Sequence, residues 1–208
     1  MKTGKCIIIA ASDFEQEILH KEKNDLLIVA DAGYLNFKKI KNLDDSDIDL
    51  LIGDFDSLNT IPNNIPIRKL NPIKDDTDVM DAIKYALNLG YKEFELYGCI
   101  GGRIEHSLAN ISALAFIKDN NANAKIVNGK QVIEIIENEI KEFNNQYKGY
   151  LSLFSFSDDS LISLYNFKYN LEDFVIKNSF PIGIDNEFIG KNSLINVKKG
   201  RVLIIYYM

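Results

Sequence analysis

Two hydrophobic patterns divide this chain, and the change between them constrains the fold more than any other feature. Up to about residue 128, short apolar runs alternate with segments whose apolar residues recur at helical spacing. The runs predicted as buried strands are Cys6–Ala10, Leu26–Ala30, Leu50–Ile52, Glu93–Tyr97 and Ala124–Val127. Strands that alternate with helices form parallel sheets covered on both faces. Residues 1–128 are therefore predicted to form an α/β domain with a Rossmann-like parallel sheet.

Apolar spacing also predicts the two longer helices of this half. The first lies between Thr77 and Leu89, and Gly90 follows as a stop signal. Its apolar residues are Val79, Met80, Ile83, Ala86 and Leu87. The second helix has one apolar face, made of Ile104, Leu108, Ile111 and Ala115. These helices would cover the sheet.

After residue 128 the pattern is typical of an all-β domain. Short runs rich in β-forming residues follow one another, separated by turn signals such as Asn128-Gly129. The runs are Gln131–Ile136, Tyr150–Phe156, Leu161–Leu164, Leu194–Val197 and Arg201–Tyr207. Strands at this spacing predict a smaller antiparallel β-sandwich over residues 129–208.

Composition narrows the classes of partner. The formal net charge of −6 argues against sequence-independent binding to nucleic acid, which relies on Lys and Arg. No apolar run approaches the roughly 20 residues of a membrane span. Cys6 and Cys99 lie in apolar segments and are interpreted as buried free thiols. We expect a cytoplasmic protein that binds neither nucleic acid nor membrane.

Polar loops follow the predicted strands of the α/β half, where ligands bind in such sheets. After Leu26–Ala30 comes Asp31, and after Leu50–Ile52 comes Gly53-Asp54-Phe55-Asp56-Ser57. The remaining loops are Lys74-Asp75-Asp76-Thr77-Asp78, before the first helix, and Gly98–His106, after Glu93–Tyr97. The fold would bring these loops to one edge of the sheet.

Asp54 and Asp56 are the most specific candidates for a metal site among the acidic residues. In an extended segment, side chains two residues apart point the same way, roughly 6–7 Å apart. Two facing carboxylates are unfavourable unless a cation or a proton neutralises them, and their hard oxygens favour Mg²⁺ or Mn²⁺. The structural alternative is an Asp-rich turn with solvated side chains.

The other two loops also have structural and functional interpretations. Thr77 or Asp76 can cap the helix, whereas Lys74 can neutralise the acids or bind a phosphate. In the glycine loop, Gly101 and Gly102 let backbone N–H groups approach a phosphate, and Arg103 adds a planar cation. The structural alternative there is a tight turn before a helix that starts near Ile104. Together the loops are suited to phosphoryl-type transfer with a metal ion.

These four motifs, in this order, resemble the thiamine pyrophosphokinase family. The match runs through Ala30–Gly33, Gly53–Ser57, Lys74–Asp78 and Gly98–His106. It continues more faintly in Asn166–Leu171, similar to the family's Gly-Leu-Lys-aromatic segment, and in Gly183–Glu187, similar to its Ser-Asn-Glu segment.

The resemblance implies transfer of pyrophosphate from ATP to thiamine, giving AMP and thiamine diphosphate, by a Mg²⁺-dependent homodimer whose subunits share the thiamine pocket. It implies that Asp54, Asp56 and Asp78 handle Mg²⁺ and phosphate, and that Glu105 acts with them in catalysis. In the hypothetical mechanism the thiamine hydroxyl attacks the β-phosphorus of ATP, and Asp78 or Glu105 orients or deprotonates it. The expected substrate-binding residues are Asp31, Lys74, Thr77, Gly101, Gly102, Arg103, Asp185 and Asn186.

The sequence departs from the family pattern at two of these positions. Glu105 stands where the family usually has Asp, and Asp185 where it has Ser. Alternative functions are a diphosphokinase for another alcohol such as a hydroxymethylpterin, and a binding module that lost catalysis through Glu105. A haloacid dehalogenase-type phosphatase is a further alternative, with Asp54 as nucleophile and Asp56 as acid/base.

Overall fold

A computed structural model of the chain describes residues 2–56, 62, 64–71 and 76–207. The chain divides into two compact units, Met1–Gly129 and Lys130–Met208, here called the N-terminal and C-terminal units. None of the helices in the described ranges is long and apolar enough to span a membrane.

The N-terminal unit alternates strands and helices, as its apolar pattern predicts. Its strands are β1 (Cys6–Ile9), β2 (Leu26–Ala30), β3 (Leu50–Gly53), β4 (Ile67–Lys69), β5 (Glu93–Tyr97) and β6 (Asn123–Asn128). Its α-helices are α1 (Gly33–Phe37), α2 (Asp78–Asn88) and α3 (Ile104–Asp119).

The strands of this unit pair in parallel, in the order β6-β5-β1-β2-β3-β4. The chain runs outward from β1 to β4, then returns to the other side of β1 with β5. The order therefore reverses between β1 and β5, and ligands bind at such a reversal, beyond the carboxyl ends of the strands. The predicted α/β class with a parallel sheet is confirmed.

Both faces of this sheet are buried. Ile7, Val29 and Leu51 pack with Phe37 of α1 on one face. Successive residues of a strand point to opposite faces of the sheet. Ile8, which follows Ile7 in β1, therefore lies on the opposite face, and it is equally buried. Helices α2 and α3 contact each other and strands of this sheet.

The predicted apolar face of α3 is not the face that is buried. Ile104 is 74% exposed and Leu108 is 59% exposed. The buried residues of the helix are Asn110, Ala113, Leu114 and Ile117. Because α3 carries apolar residues around most of its circumference, their spacing does not distinguish the core face from the solvent face.

The C-terminal unit consists of antiparallel strands. They are β7 (Gln131–Glu137), β8 (Ile140–Phe143), β9 (Tyr150–Ser155), β10 (Asp159–Tyr165), β11 (Leu171–Lys177), β12 (Gly183–Glu187), β13 (Ser193–Lys199) and β14 (Arg201–Tyr207). They pair in the orders β12-β9-β14-β7 and β11-β10-β13-β8. One buried cluster draws on strands of both sets, and its centre is Phe143, which makes edge-on contacts with Phe167, Phe188 and Tyr206. The predicted β-sandwich is confirmed.

Strands β11 and β12 lie at the edges of their sheets and were not predicted from the sequence. Their exposed side chains are partly apolar, including Phe174, Val175 and Ile184. Pairing of β12 with β9 shifts register between Gly183 and Asn186, which marks a β-bulge.

Candidate active site

A cavity of about 500 Å³ opens in the N-terminal unit at the carboxyl ends of its strands. Ala10–Ser12 contribute to it from the end of β1, and Ala30–Ala32 from the end of β2. The segment Asp76–Val79, where α2 begins, also lines it. Gly102, Arg103, His106 and Asn110 complete the lining from the loop after β5 and from α3. The cavity thus lies where the strand order reverses.

Asp31 stands at the centre of this arrangement in an unusual backbone conformation. It has a φ of 44°, in the left-handed region, and its N–H donates to the carbonyl of Ile52 at 2.8 Å. A Cβ at Gly53 would lie 2.9 Å from the Cβ of Asp31, so the bare glycine lets the aspartate approach β3. One carboxylate oxygen of Asp31, Oδ1, is buried and has no hydrogen-bond partner among the described residues.

Asp54 and Asp56 are not held as the extended pair that the sequence predicted. Phe55 between them has a φ of 65° and a buried ring, so the chain turns immediately after β3. The N–H of Asp56 donates to Asp54 Oδ1 at 3.2 Å, which closes this turn. Asp54 is half-buried and Asp56 is exposed, and neither lines the cavity. The extended geometry was wrong because Phe55 packs into the core.

The three described residues at the start of α2 have different structural roles, although all of them were candidates for the site. Thr77 is the N-cap, and its Oγ1 accepts from the N–H of Met80 at 3.2 Å. Asp76 forms an ion pair with Lys84. Asp78 opens the helix, and all three residues line the cavity. The predicted residue Lys74 lies outside the described residues, as do Asp75 and Ser57.

The glycine loop after β5 is held against the end of β1. A Cβ at Gly98 would lie 2.3 Å from the carbonyl oxygen of Ala10, so no larger residue fits there. Asn110 of α3 donates from Nδ2 to the carbonyl of Cys99 at 2.9 Å, and Ser107 bonds to Gly101. Burial raises the pKa of the Cys99 thiol to about 12, which keeps it protonated and unreactive.

Arg103 and Glu105 form an ion pair at the start of α3. Oxygen Oε1 of Glu105 lies 2.7 Å from Nε and 2.6 Å from Nη2 of Arg103. A hydrogen bond from its own backbone and the Arg103 guanidinium lower the pKa of Glu105. Arg103 lines the cavity, whereas Glu105 does not. Glu105 therefore stays ionised at neutral pH and orients the cation.

Sequence reasoning missed Asn110, which lines the cavity and is buried. The available signal was an amide side chain within the largely apolar stretch 108–117 of α3. His106, the last residue of the predicted Gly98–His106 loop, also lines the cavity, as does Ser12.

The remaining predicted residues, Asp185 and Asn186, lie on β12 of the C-terminal unit. Asp185 is exposed and has a φ of 60° within the bulge. Asn186 is buried, and its side-chain amide bonds to the backbone of Tyr169 and Glu187. An apolar groove of about 270 Å³ in the same unit is lined by Tyr169, Ile184 and Asn186 among others.

Family models match both units. A model described as the catalytic domain of thiamin pyrophosphokinase matches residues 19–126. A model described as the vitamin B1 binding domain of thiamin pyrophosphokinase matches residues 135–202. This chain belongs to the thiamin pyrophosphokinase family. The predicted family is confirmed, and the haloacid dehalogenase-type alternative finds no support.

Individual members of the thiamin pyrophosphokinase family agree with this assignment. The thiamine pyrophosphokinase of Bacillus subtilis (strain 168) is 30% identical in an alignment of 164 residues that covers 74% of this chain and 75% of that protein. The crystal structure of thiamine pyrophosphokinase from Bacillus subtilis superimposes with a TM-score of 0.81 at 22% identity, covering 99% of both chains. That of Candida albicans gives a TM-score of 0.77 at 15% identity, covering 98% of this chain and 90% of its own.

Within this thiamin pyrophosphokinase family fold, the cavity brings together only some of the predicted residues. Asp31, Thr77, Asp78, Gly102 and Arg103 line it. The other predicted residues of the N-terminal unit that the structure describes, Asp54, Asp56, Gly101 and Glu105, do not. In the ranges that the structure describes, no three Asp, Glu, His or Cys side chains gather as a ready metal site.

Proposed function

We propose that this chain transfers the pyrophosphoryl group of ATP to the hydroxyl of thiamine, with Mg²⁺, giving AMP and thiamine diphosphate. The observation that carries this proposal is the cavity at the strand-order reversal, which combines acidic side chains, a glycine loop and Arg103 within the matched catalytic domain. Membership of the thiamin pyrophosphokinase family supplies the reaction class.

The N-terminal unit is proposed to bind the triphosphate. Arg103 is the cation of the cavity lining and is already oriented by Glu105. Its planar guanidinium suits phosphate oxygens, and Gly102 leaves backbone N–H groups accessible beside it. Lys74, predicted to face the phosphates, remains a proposal outside the described residues.

The acidic residues of the cavity fit a divalent cation. The buried Asp31 Oδ1 accepts no hydrogen bond from the residues that the structure describes, and Asp78 lines the same space with a second carboxylate. Hard oxygen ligands of this kind favour Mg²⁺. We propose that Asp31 and Asp78 hold the ion together with Asp54, which follows Gly53 at the end of β3, and with Asp56. When bound, Mg²⁺ supplies charge neutralisation for the triphosphate.

Asp78 is proposed to orient the attacking hydroxyl of thiamine or to accept its proton. The sequence left Asp78 and Glu105 as alternatives. Asp78 lines the cavity, whereas Glu105 does not and is committed to Arg103. The proposed contribution of Glu105 to catalysis is therefore the orientation of Arg103.

The C-terminal unit is proposed to bind thiamine. The vitamin B1 binding model covers residues 135–202, which include Tyr169, Asp185 and Asn186. The Asp185 carboxylate makes no ion pair or hydrogen bond with the described part of the chain, and an unpaired acid favours a cationic acceptor. Residues 1–128 and 129–208 are accordingly proposed as the nucleotide and thiamine domains.

A homodimer with a thiamine pocket between subunits is also proposed. The edge strands β11 and β12 expose Phe174, Val175 and Ile184, and the groove of about 270 Å³ opens beside them. An exposed apolar edge strand can pair with another chain, and exposed apolar patches mark interaction sites. A second copy of this chain is the proposed cover. A cytoplasmic location is proposed as well, consistent with two cysteines that are both buried free thiols.

The reaction is tested by chromatography of purified protein incubated with ATP, Mg²⁺ and thiamine. Equal, thiamine-dependent amounts of AMP and thiamine diphosphate are expected, and EDTA in place of Mg²⁺ should stop their formation. AMP with a hydroxymethylpterin but not with thiamine would instead identify the other diphosphokinase. ATP binding without turnover would support the binding module.

The shared pocket is tested by mixing two impaired variants at a thiamine concentration below KM. Asp78→Asn removes the nucleotide-side carboxylate, and Tyr169→Ala weakens the thiamine side. If subunits share the pocket, mixed dimers contain one intact site, and the mixture is more active than either variant alone. Activity no higher than the average of the two variants, although purification on two different affinity tags recovers mixed dimers, would contradict the shared pocket.

A further inference from the structure

One side chain in the C-terminal unit holds both polar backbone groups of a single residue. The N–H of Tyr169 donates to Asn186 Oδ1 at 3.0 Å, and Asn186 Nδ2 donates to the carbonyl of Tyr169 at 2.8 Å. The same Oδ1 accepts from the N–H of Glu187 at 2.9 Å. The Asn186 amide therefore acts as a clamp on the turn that carries Tyr169.

The clamp leaves Asn186 little capacity for another partner. A side-chain amide offers two acceptor positions and two N–H donors. Both acceptor positions and one donor of Asn186 are used, and the residue is only 5% exposed. A direct bond from Asn186 to a substrate would have to use the one remaining N–H.

Tyr169 has the opposite character. The residue is 59% exposed although its backbone is fixed at both polar groups. Lys168 Nζ lies 5.5 Å from the centroid of this ring and forms an ion pair with Glu187. An aromatic ring held at the surface by a fixed backbone is suited to stacking with a planar ring, because little conformational entropy is lost on contact.

The bulge in β12 explains why Asp185 is exposed while the next residue, Asn186, is buried. Register with β9 shifts between Gly183 and Asn186, and Asp185 takes the left-handed conformation. Asp185 is exposed while Asn186 is buried against the Tyr169 turn. The strand thus presents an acid to solvent and an amide to the turn at consecutive positions.

We propose that Asn186 is a positioning residue that acts on the acceptor only through Tyr169. The clamp fixes the backbone of Tyr169 so that its ring meets a planar, cationic acceptor, and Asn186 itself does not contact that molecule. This inference rests on the proposed function, because it names how the acceptor side of that site is held.

The test is a double-mutant cycle on the KM for thiamine at saturating ATP. Asn186→Ala and Tyr169→Ala should each raise this KM about tenfold, with the KM for ATP unchanged. If Asn186 acts through Tyr169, the double variant should resemble Tyr169→Ala alone, because no ring remains to position. Additive effects, about a hundredfold in the double variant, would overturn the proposal and support a direct contact.

Matched controls separate positioning from general loss of stability. Asn192 Oδ1 accepts from the N–H of Asn145 in another turn of the same unit. Asn192→Ala should therefore lower the melting temperature without changing the KM for thiamine, and Tyr169→Phe should retain binding. If Asn186→Ala does not fold, Asn186→Asp replaces it in the cycle, because it keeps both acceptor bonds but sets a carboxylate oxygen against the Tyr169 carbonyl in place of the N–H donor.

A second readout does not depend on activity. The chain has no tryptophan, so Tyr169→Trp introduces a single tryptophan at the turn, which can be excited without exciting the tyrosines. Adding Asn186→Ala should lower the fluorescence anisotropy of this side chain, whereas adding Asn192→Ala should not. Unchanged anisotropy would overturn the clamp even if wild-type protein is active. If wild-type protein makes no thiamine diphosphate, the proposed function fails, and the anisotropy comparison still decides the role of Asn186.

Discussion

The guanidinium of Arg103 lies 2.6 Å from the carboxylate of Glu105, and this pair holds the cation beside the cavity. Glu105→Gln should weaken this orientation and raise the KM for ATP about threefold, because the pair is largely exposed, with a smaller effect on thiamine. Glu105→Asp keeps the charge and restores the residue usual in the family, so it should stay close to wild type. Steady-state kinetics with each substrate varied provides the check. A larger loss in Glu105→Asp than in Glu105→Gln would contradict the orienting role.

Asp31→Asn should stabilise the protein while it impairs the reaction. Burying a charged oxygen without a donor costs free energy, and the neutral amide lowers that cost. Without Mg²⁺, the free energy of unfolding should rise by about 1 kcal/mol. Turnover should fall about 100-fold, because a proposed ligand is lost.

Chemical denaturation and the product assay measure the two effects of Asp31→Asn. Asp76→Asn is the matched control, because Asp76 lines the same cavity but is paired with Lys84. It should lose stability and retain most activity. Full activity in Asp31→Asn would remove Asp31 from the proposed site.

Asn110→Ala should loosen the glycine loop. The variant loses the hydrogen bond to the Cys99 carbonyl, and leaving that buried acceptor unpaired should cost about 1–3 kcal/mol of stability. The KM for ATP should rise because the loop backbone and Arg103 lose their fixed position. Asn120→Ala, which breaks an exposed bond to Phe116 at the end of the same helix, is the control and should leave KM unchanged. Equal KM values for both variants would show that the hydrogen bond from Asn110 to the glycine loop has no role in ATP binding.

Glu95 gives the N-terminal unit a pH-dependent contribution to stability. Burial opposes its ionisation, but hydrogen bonds and charges from Lys5 and Lys125 outweigh this and lower the pKa of Glu95. The ionised form therefore stabilises the fold above the ordinary Glu pKa of 4.5, and this contribution is lost as the pH falls through the lower folded value.

Glu95→Gln should accordingly cost about 1–2 kcal/mol at pH 7 and progressively less below pH 4.5. Urea denaturation at several pH values measures this difference. Glu17→Gln is the control: its pair with Lys41 is largely exposed, so its effect should be within about 0.5 kcal/mol at every pH. A cost of Glu95→Gln that does not change with pH would contradict a stabilising contribution from the ion pairs of Glu95 with Lys5 and Lys125.

Much of the fold was predictable because its signals are local. Strands β2, β5 and β14 begin and end where the apolar runs do, since polar or turn residues bound each run. The start of α2 was predicted from a cap at Thr77 or Asp76, and Thr77 is the cap. The edge strands β11 and β12 were missed because exposed polar residues interrupt their apolar pattern.

The site was predictable in its residue types and less so in its geometry. The order of the acidic and glycine motifs identified the family, but the burial of Phe55 turns the Asp54–Asp56 segment, and no local rule signals that. The buried face of α3 was predicted wrongly, because the apolar residues Ile104 and Leu108 are exposed. Asn110 was missed because it is a polar residue on the face that is buried. The clamp between Asn186 and Tyr169 joins residues 17 positions apart, which only the folded bulge brings together.

The central claim is the transfer of an intact pyrophosphoryl group to thiamine. Incubation with ATP labelled on the γ-phosphate, Mg²⁺ and thiamine tests it directly, with the fate of the label followed by chromatography. We predict label in thiamine diphosphate and an equal amount of unlabelled AMP. Label released as inorganic phosphate with ADP, or label that never reaches thiamine, would contradict the account.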